Sequence, residues 1–244
     1  MPTIYLSPST QEFNLYSGGG SEEYYMNLLA DAMEPYLAAS GIQFVRNTPE
    51  MTAASSIAAS NAGNYDFHLA LHSNASGSGN GNVRGAEFYY YPTSSGGKRF
   101  ADIAAENFKL IYPLPNSVRT VATTTLGEVR RVKAPAVLIE VAYHDNPEDA
   151  EWIRNNIEAM AANIVYSLTE YFGIPFNTPQ PIFTASVATR GSNLNIRYTP
   201  SLTANVIGQI PNGAEVTVFA TTPDWALVNY NGNVGYVARQ YLQY

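Results

Sequence analysis

A few residues in this 244-residue chain stand out because each begins or ends an apolar segment. His72 closes the strand-like run YDFHLALH, Glu140 lies in the longest apolar run, APAVLIEVAY, and Glu22 and Glu23 open a helix-like segment. An imidazole with carboxylates, and no cysteine anywhere in the chain, suits a zinc site that keeps one position open for water. A carboxylate whose pKa is raised by burial can also serve as a general base. The residue types therefore indicate a site for zinc-activated water.

Each of these residues also has a purely structural interpretation. Acids in the first turn of a helix complement the helix dipole, and Glu22 and Glu23 flank the apolar stripe about equally, so helical geometry does not choose between them. Glu140 could instead lie at a sheet edge, where it points to solvent or pairs with Arg130 or Arg131. These alternatives stay open at the level of residue types.

The two histidines of YDFHLALH lie on one face of the predicted strand. At the rise of an extended chain, His68 and His72 are roughly 13 Å apart along it, so we expect no metal ion shared between them. His72 ends the run, borders the loop SNASGSGNG, and takes the carboxyl-end position where open α/β sheets bind ligands. His68 is predicted to be a hydrogen-bonded histidine within the strand.

The elements that must position these residues alternate between strand and helix, which predicts an α/β domain with a mostly parallel central sheet flanked by helices. The predicted strands span residues 3–6, 42–45, 65–72, 85–92 and 134–143. The predicted helices run from the cap Ser21 to Gly41 with a kink or early end at Pro35, onward from the cap Thr48, over 98–112, and from Asn146 to about Phe172.

The pattern changes at a proline-rich stretch, GIPFNTPQP. Residues 182–244 are short alternating runs separated by turn sequences, which predicts a small all-β, SH3-like barrel. We therefore predict a domain over 1–174, a stiff linker over 175–181 and a second domain over 182–244.

Composition narrows the possible partners. The net charge of −7 argues against a nucleic-acid partner, and no apolar run approaches the length of a membrane span. The start, MPTIYLSPS, lacks the basic region and long apolar core of a signal peptide, so we expect either a removed signal or another route of export.

The segments ALHSNAS and APAVLIEVAYHDN, preceded by SGGGSEEYYMNLLADAMEPYLAASGIQFVRNT, resemble the zinc-dependent N-acetylmuramoyl-L-alanine amidases of the Amidase_3 type over residues 3–172. The resemblance implies that His72 is a zinc ligand and that Glu140 is the catalytic glutamate. It also implies a helix glutamate four residues before an Asn-Leu pair as a ligand, which is Glu23.

One motif departs from that family. The pattern D-P-G-H-G-G, whose histidine is the first zinc ligand, is replaced here by SPSTQ, residues 7–11. Three alternatives follow: His144 fills the position; Gln11, Thr10 or a water coordinates weakly; or the site is inactive and the domain only binds peptidoglycan.

The second domain resembles bacterial SH3 (SH3b) domains, which usually bind cell-wall peptides. The matching residues, in order, are Leu194, Asn195, Ile196, Arg197, Pro200, Gly213, Trp225, Gly232, Gly235, Tyr236 and Val237. Its clustered tyrosine and tryptophan side chains suit a recognition surface, although such aromatics are more often core residues.

Together the two resemblances imply a cell-wall hydrolase, extracellular or bound to the wall, that uses Zn²⁺ to cleave the amide between N-acetylmuramic acid and L-alanine of the peptidoglycan stem peptide. We expect the chain to be a monomer. Asn74 and Arg84, in the loop after His72, are expected to shape the substrate groove. A glycosidase using Glu23 and Glu140 as a carboxylate pair is a further possibility, but it leaves the His72 motif unexplained.

Overall fold

A computed structural model of the chain describes residues 1–77 and 81–244; residues 78–80, in the predicted loop after His72, lie outside the described part. The chain divides into two compact units. One consists of residues 3–34 and 44–172, and the other of residues 1–2, 35–43 and 173–244. The domain limits at 174 and 182 stay predictions.

The first sheet has six strands, in the order β2-β1-β3-β6-β4-β5. Its strands are β1 (Thr3–Pro8), β2 (Gln43–Arg46), β3 (Phe67–Asn74), β4 (Ala86–Tyr90), β5 (Val118–Ala122) and β6 (Ala136–Tyr143). The helices are α1 (Glu22–Ser40), α2 (Ala53–Ala62), α3 (Ser95–Phe108), α4 (Gly127–Arg130), α5 (Pro147–Asn155) and α6 (Ile157–Phe172), with a 3₁₀ turn at Pro115–Ser117. The pairs β1–β3, β3–β6 and β4–β5 are parallel, whereas β4–β6 is antiparallel, so the α/β prediction is confirmed.

The central strands β3 and β6 are buried along almost their whole length, as expected of strands covered on both faces. Their register pairs His72 with Glu140. On the other side of β6, Glu87 of β4 pairs with the same glutamate. Three polar side chains are therefore placed in one row across the middle of the sheet.

The helix boundaries differ from two predictions. Helix α2 begins at Ala53 rather than after Thr48, because Thr52 is its N-cap and forms a capping box with Ser55. Helix α1 continues through Pro35 to Ser40, so the predicted early end does not occur. Gly41 ends it as predicted, with a φ of 77° that favours glycine.

The second sheet has seven strands, all antiparallel, in the order β13-β7-β10-β11-β12-β8-β9. They are β7 (Phe183–Val187), β8 (Leu194–Arg197), β9 (Val206–Ile210), β10 (Glu215–Thr221), β11 (Trp225–Tyr230), β12 (Asn233–Ala238) and β13 (Leu242–Gln243), with a 3₁₀ turn at Arg239–Tyr241. Alternate residues face a shared apolar core, which includes Ile196, Val218 and Val237. The all-β prediction is confirmed. Among the described residues, no helix combines the length and apolar character needed to cross a membrane.

Candidate active site

His72 lies between two carboxylates at the carboxyl end of β3. Its Nδ1 is 2.7 Å from Oε1 of Glu22, and its Nε2 is 3.0 Å from Oε2 of Glu128. The histidine is only 8% exposed, and both glutamates are buried. The imidazole is thus fixed from both sides, as a catalytic or metal-binding histidine requires.

Glu22 reaches His72 because it is the first residue of α1. Its backbone N–H donates to the carbonyl of Asn14, and its Oε2 accepts a hydrogen bond of 2.6 Å from Asn14 Nδ2. Asn14 also donates to Oε1 of Gln11, at 3.2 Å. The segment after β1 therefore orients the carboxylate.

Glu23, which the family resemblance favoured as the metal ligand, does not occupy this place. Each helical residue turns roughly 100° from the one before it, so only one of two adjacent glutamates can face His72. Glu22 faces it, while Glu23 is half-buried and its carbonyl accepts a hydrogen bond from Asn27. The contacts therefore support Glu22 in the role predicted for Glu23.

Glu128 has no counterpart in the predictions, because neither β5 nor the four-residue helix α4 that carries it was expected. Its Oε1 accepts a 2.5 Å hydrogen bond from Ser7 Oγ and lies 3.4 Å from Nε2 of His68. The two histidines, predicted to be too far apart to share a metal ion, share this carboxylate instead. As predicted, His68 is hydrogen-bonded within the fold, through Nδ1 to Ser60 Oγ at 2.9 Å.

Glu140 is the carboxylate whose surroundings disfavour charge most strongly. Its Oε2 is buried and accepts no hydrogen bond from any described residue. Burial, and next the neighbouring Glu22 and Glu87 carboxylates, raise the pKa of Glu140 to about 8, against the opposing effect of His72. No described contact joins it to Arg130 or Arg131, so the edge-glutamate alternative has no support. A carboxyl poised near neutral pH is suited to moving a proton.

For His72 and its two partner glutamates, unlike Glu140, the pKa shifts favour the charged forms. Burial alone would lower the pKa of His72, but hydrogen bonds to Glu128 and Glu22 raise it well above its ordinary value. Burial would likewise raise the pKa of both glutamates, yet their hydrogen bonds to histidine, and the histidine charges, lower it. These shifts favour the charged form of each of the three side chains in the absence of metal.

A second polar cluster flanks Glu140 on β4. Glu87 is buried and accepts from Asn74 Nδ2 at 3.0 Å, from Tyr89 and from Arg119. The Arg119 side chain is 67% exposed and belongs to the unpredicted β5. Asn74, predicted to shape the substrate groove, therefore lies beside the row of site residues.

Arg84, also predicted to bind substrate, contacts different partners. It pairs with Glu148 and, at 2.7 Å, with Asp149. Asp149 is fully buried and also accepts from Tyr112 and from the backbone N–H of Tyr143. These contacts indicate a structural role for Arg84 at the start of α5.

His144, one of the three alternatives for the missing ligand, makes no described contact with His72 or Glu22. Its Nδ1 is 2.7 Å from the Ser73 carbonyl oxygen, and its ring stacks on Tyr16. The contacts give His144 no support as a ligand.

Within residues 1–77 and 81–244, no three His, Asp or Glu side chains form a group arranged to hold a metal ion. Gln11 is the nearest addition, with Nε2 3.4 Å from His72 Nδ1. Ligand atoms of a tetrahedral zinc lie about 3.3 Å apart, and turning the amide over would present its oxygen but would give up the hydrogen bond that Oε1 accepts from Asn14. Glu22, His72 and Gln11 thus fit zinc by donor type and spacing, provided that both the Glu22–His72 and the Asn14–Gln11 hydrogen bonds open.

A cavity of about 390 Å³ opens beside this group. Its walls are residues 7–11 after β1, the start of α2, His72 and Glu128. The exposed Phe13 lies at its rim. The site is thus reachable by a ligand.

Comparison with solved structures gives the same architecture. Residues of this chain superpose on the amidase AmiC2 of Nostoc punctiforme (TM-score 0.62, 17% identity, covering 70% of this chain and 97% of that one). They also superpose on the amidase CwlD of Clostridioides difficile, solved in complex with the GerS lipoprotein (TM-score 0.63, 14% identity, covering 71% and 99%). At such identities these likenesses establish the fold alone. No curated protein sequence matches the chain.

Two family models match the sequence itself. The bacterial SH3 domain model matches residues 192–243. The N-acetylmuramoyl-L-alanine amidase model matches residues 11–170, well over half of the chain. The protein thus belongs to the Amidase_3 family of N-acetylmuramoyl-L-alanine amidases, a family generally dependent on zinc, and carries a bacterial SH3 domain.

Proposed function

We propose that this chain hydrolyses the amide between N-acetylmuramic acid and L-alanine with water activated at a zinc site, and that Glu140 is the general base. The observation that carries the proposal is the buried, unpartnered Oε2 of Glu140, with its pKa raised to about 8, next to His72 in register. Glu22 and His72 would hold the metal, with Gln11, one residue after the place of the absent histidine, as the third donor.

When bound, zinc would polarise the scissile carbonyl and lower the pKa of the attacking water. Glu140 takes the proton from the attacking water and delivers it to the leaving amine of L-alanine. Glu87, held by Arg119 and Asn74, disfavours charge on Glu140 and so keeps its proton affinity high. The inactive, binding-only alternative is not favoured, because peptidoglycan binding alone does not require this arrangement of Glu140 and Glu87.

The test is release of muropeptides from purified peptidoglycan. Wild type should liberate stem peptides with new L-alanine amino termini and lose this activity on chelation, whereas Glu140→Ala should bind zinc but release nothing. His144→Ala should retain zinc and activity. Wild type that binds no zinc and matches Glu140→Ala would refute the enzyme assignment.

We also propose that the SH3 unit binds cell-wall peptide, which would place the enzyme outside the cytoplasmic membrane or on the wall. A cavity of about 520 Å³ on this unit is lined by Trp225, Tyr244, Leu202, Asp224 and Arg239, which combines aromatic faces with both charges. Trp225→Ala should reduce co-sedimentation with peptidoglycan, with Tyr230→Ala as the control outside the cavity lining. Equal co-sedimentation of both variants and wild type would contradict this assignment.

A further inference from the structure

Glu128 is the site carboxylate that no family motif accounts for. It is 5% exposed, yet it lies on a four-residue helix and contacts three polar side chains of the sheet. Burying a carboxylate costs free energy unless the carboxylate is paired and hydrogen-bonded. Its strongest contact with the site is the 3.0 Å approach of Oε2 to His72 Nε2.

We propose that Glu128 is the positioning residue of the metal centre: it accepts the Nε2–H of His72 and thereby turns Nδ1 toward Glu22 and the metal. Metal-ligating histidines almost always donate their second ring N–H to a carboxylate or carbonyl, which fixes the tautomer and the ring plane. Here Glu22 lies on the Nδ1 side, at 2.7 Å, so Nε2 is the nitrogen left for the orienting contact. The inference rests on the proposed zinc site.

The same contacts involve the altered motif, which begins at Ser7 near the end of β1. Where the family pattern D-P-G-H-G-G has an aspartate, this chain has Ser7. Ser7 Oγ donates to Glu128 Oε1 at 2.5 Å. This chain thus has a serine where that pattern has a carboxylate, and the serine hydroxyl holds a carboxylate supplied from α4.

His68 is the third polar side chain that contacts Glu128. Its Nε2 lies 3.4 Å from Glu128 Oε1, while Ser60 holds its Nδ1 and Tyr5 stacks on its ring at 5.4 Å. The carboxylate is therefore fixed at both oxygens, and its direction toward His72 is set by the fold. His68, which is not a candidate metal ligand, thus helps to hold Glu128 in place.

The experiment compares zinc affinity by chelator competition in wild type, Glu128→Gln and Asp149→Asn. Glu128→Gln keeps the shape but loses the charge, and we expect zinc affinity to fall 10–100-fold. Asp149→Asn removes another buried carboxylate, far from His72 in its contacts, and should leave zinc affinity unchanged. The double variant Ser7→Asp/Glu128→Ala should bind zinc more tightly than Glu128→Ala alone.

A second readout is the ring nitrogen signals of His72, which are tractable because the chain has three histidines. In wild type the Nε2–H proton signal should be present with and without zinc, and Nδ1 should be the nitrogen that binds the metal. Loss of that signal is expected in Glu128→Ala. Unchanged zinc affinity in Glu128→Gln, no recovery in the double variant, or zinc on Nε2 would overturn the proposal.

These outcomes separate this inference from the proposed function. The Nε2–H signal of the metal-free protein reports on Glu128 even if the chain releases no muropeptides. Conversely, a protein that cleaves peptidoglycan with its zinc affinity unaffected by Glu128→Gln would keep the amidase assignment and remove the role of Glu128.

Discussion

Replacing Glu140 by glutamine should change how the stability of the metal-free protein depends on pH. The folded state raises the pKa of Glu140 from 4.5 to about 8, so it holds a proton that the unfolded chain releases between these values. Folded wild type is therefore most favoured below pH 4.5 and loses stability as the pH rises through 8. Glutamine cannot ionise and lacks this loss.

The size of the effect follows from the two pKa values. At about 1.36 kcal/mol for each pH unit, the whole range corresponds to about 5 kcal/mol, of which about 3–4 kcal/mol falls between pH 5 and pH 8. Because other groups titrate in both proteins, the informative quantity is the difference in unfolding free energy between Glu140→Gln and wild type. This difference should grow in favour of the variant as the pH rises.

Urea unfolding of chelator-treated protein at pH 5 and pH 8 measures it. The chain has two tryptophans, and a Trp225→Phe background leaves Trp152, which packs against Phe108 and Tyr112 in the unit that contains Glu140. Its fluorescence therefore reports on that unit.

The same free-energy difference between variant and wild type at both pH values would contradict a raised pKa of Glu140. A gain in stability of wild type relative to the variant would contradict it equally, since that would mean a pKa lowered by the fold. A direct carbon-13 titration of the Glu140 carboxyl gives the same answer independently of unfolding.

Three further predictions concern residues outside the reacting groups. Arg84→Ala leaves the buried Asp149 carboxylate with one partner fewer, and should cost about 3 kcal/mol in urea unfolding while leaving zinc affinity and KM unchanged; a raised KM would restore Arg84 as a substrate contact. Thr52→Ala removes the N-cap of α2 and should lower the free energy of unfolding, followed by Trp152 fluorescence, by about 1 kcal/mol. An unchanged free energy of unfolding would contradict a stabilising cap. Gly235→Ala places a Cβ 2.5 Å from Ile196 Cγ2 and should destabilise the SH3 unit by about 1–3 kcal/mol, seen in Trp225 fluorescence; an unchanged midpoint would contradict this packing.

The sequence predicted the elements whose patterns are local and repeated. The near-continuous apolar runs around His72 and Glu140 predicted two buried strands, because strands covered on both faces have no polar side. Short alternating runs separated by turns predicted the antiparallel sheet, because strands with one buried face alternate apolar and polar residues. Helix α2 was misplaced by several residues because Thr48-Pro49 and Thr52 both carry capping signals, and only the hydrogen bonds of Ser55 distinguish them.

The sequence alone therefore determined the two-part architecture and singled out the two strand residues of the candidate site, since periodicity and family motifs both lie along the chain. The tertiary structure alone decided which of two adjacent glutamates faces His72, because a turn of roughly 100° separates them and both suit a helix start. It also brought in Glu128, 56 positions away on a four-residue helix with no periodic signal. A contact between segments so distant in sequence is set by how the sheet folds them together.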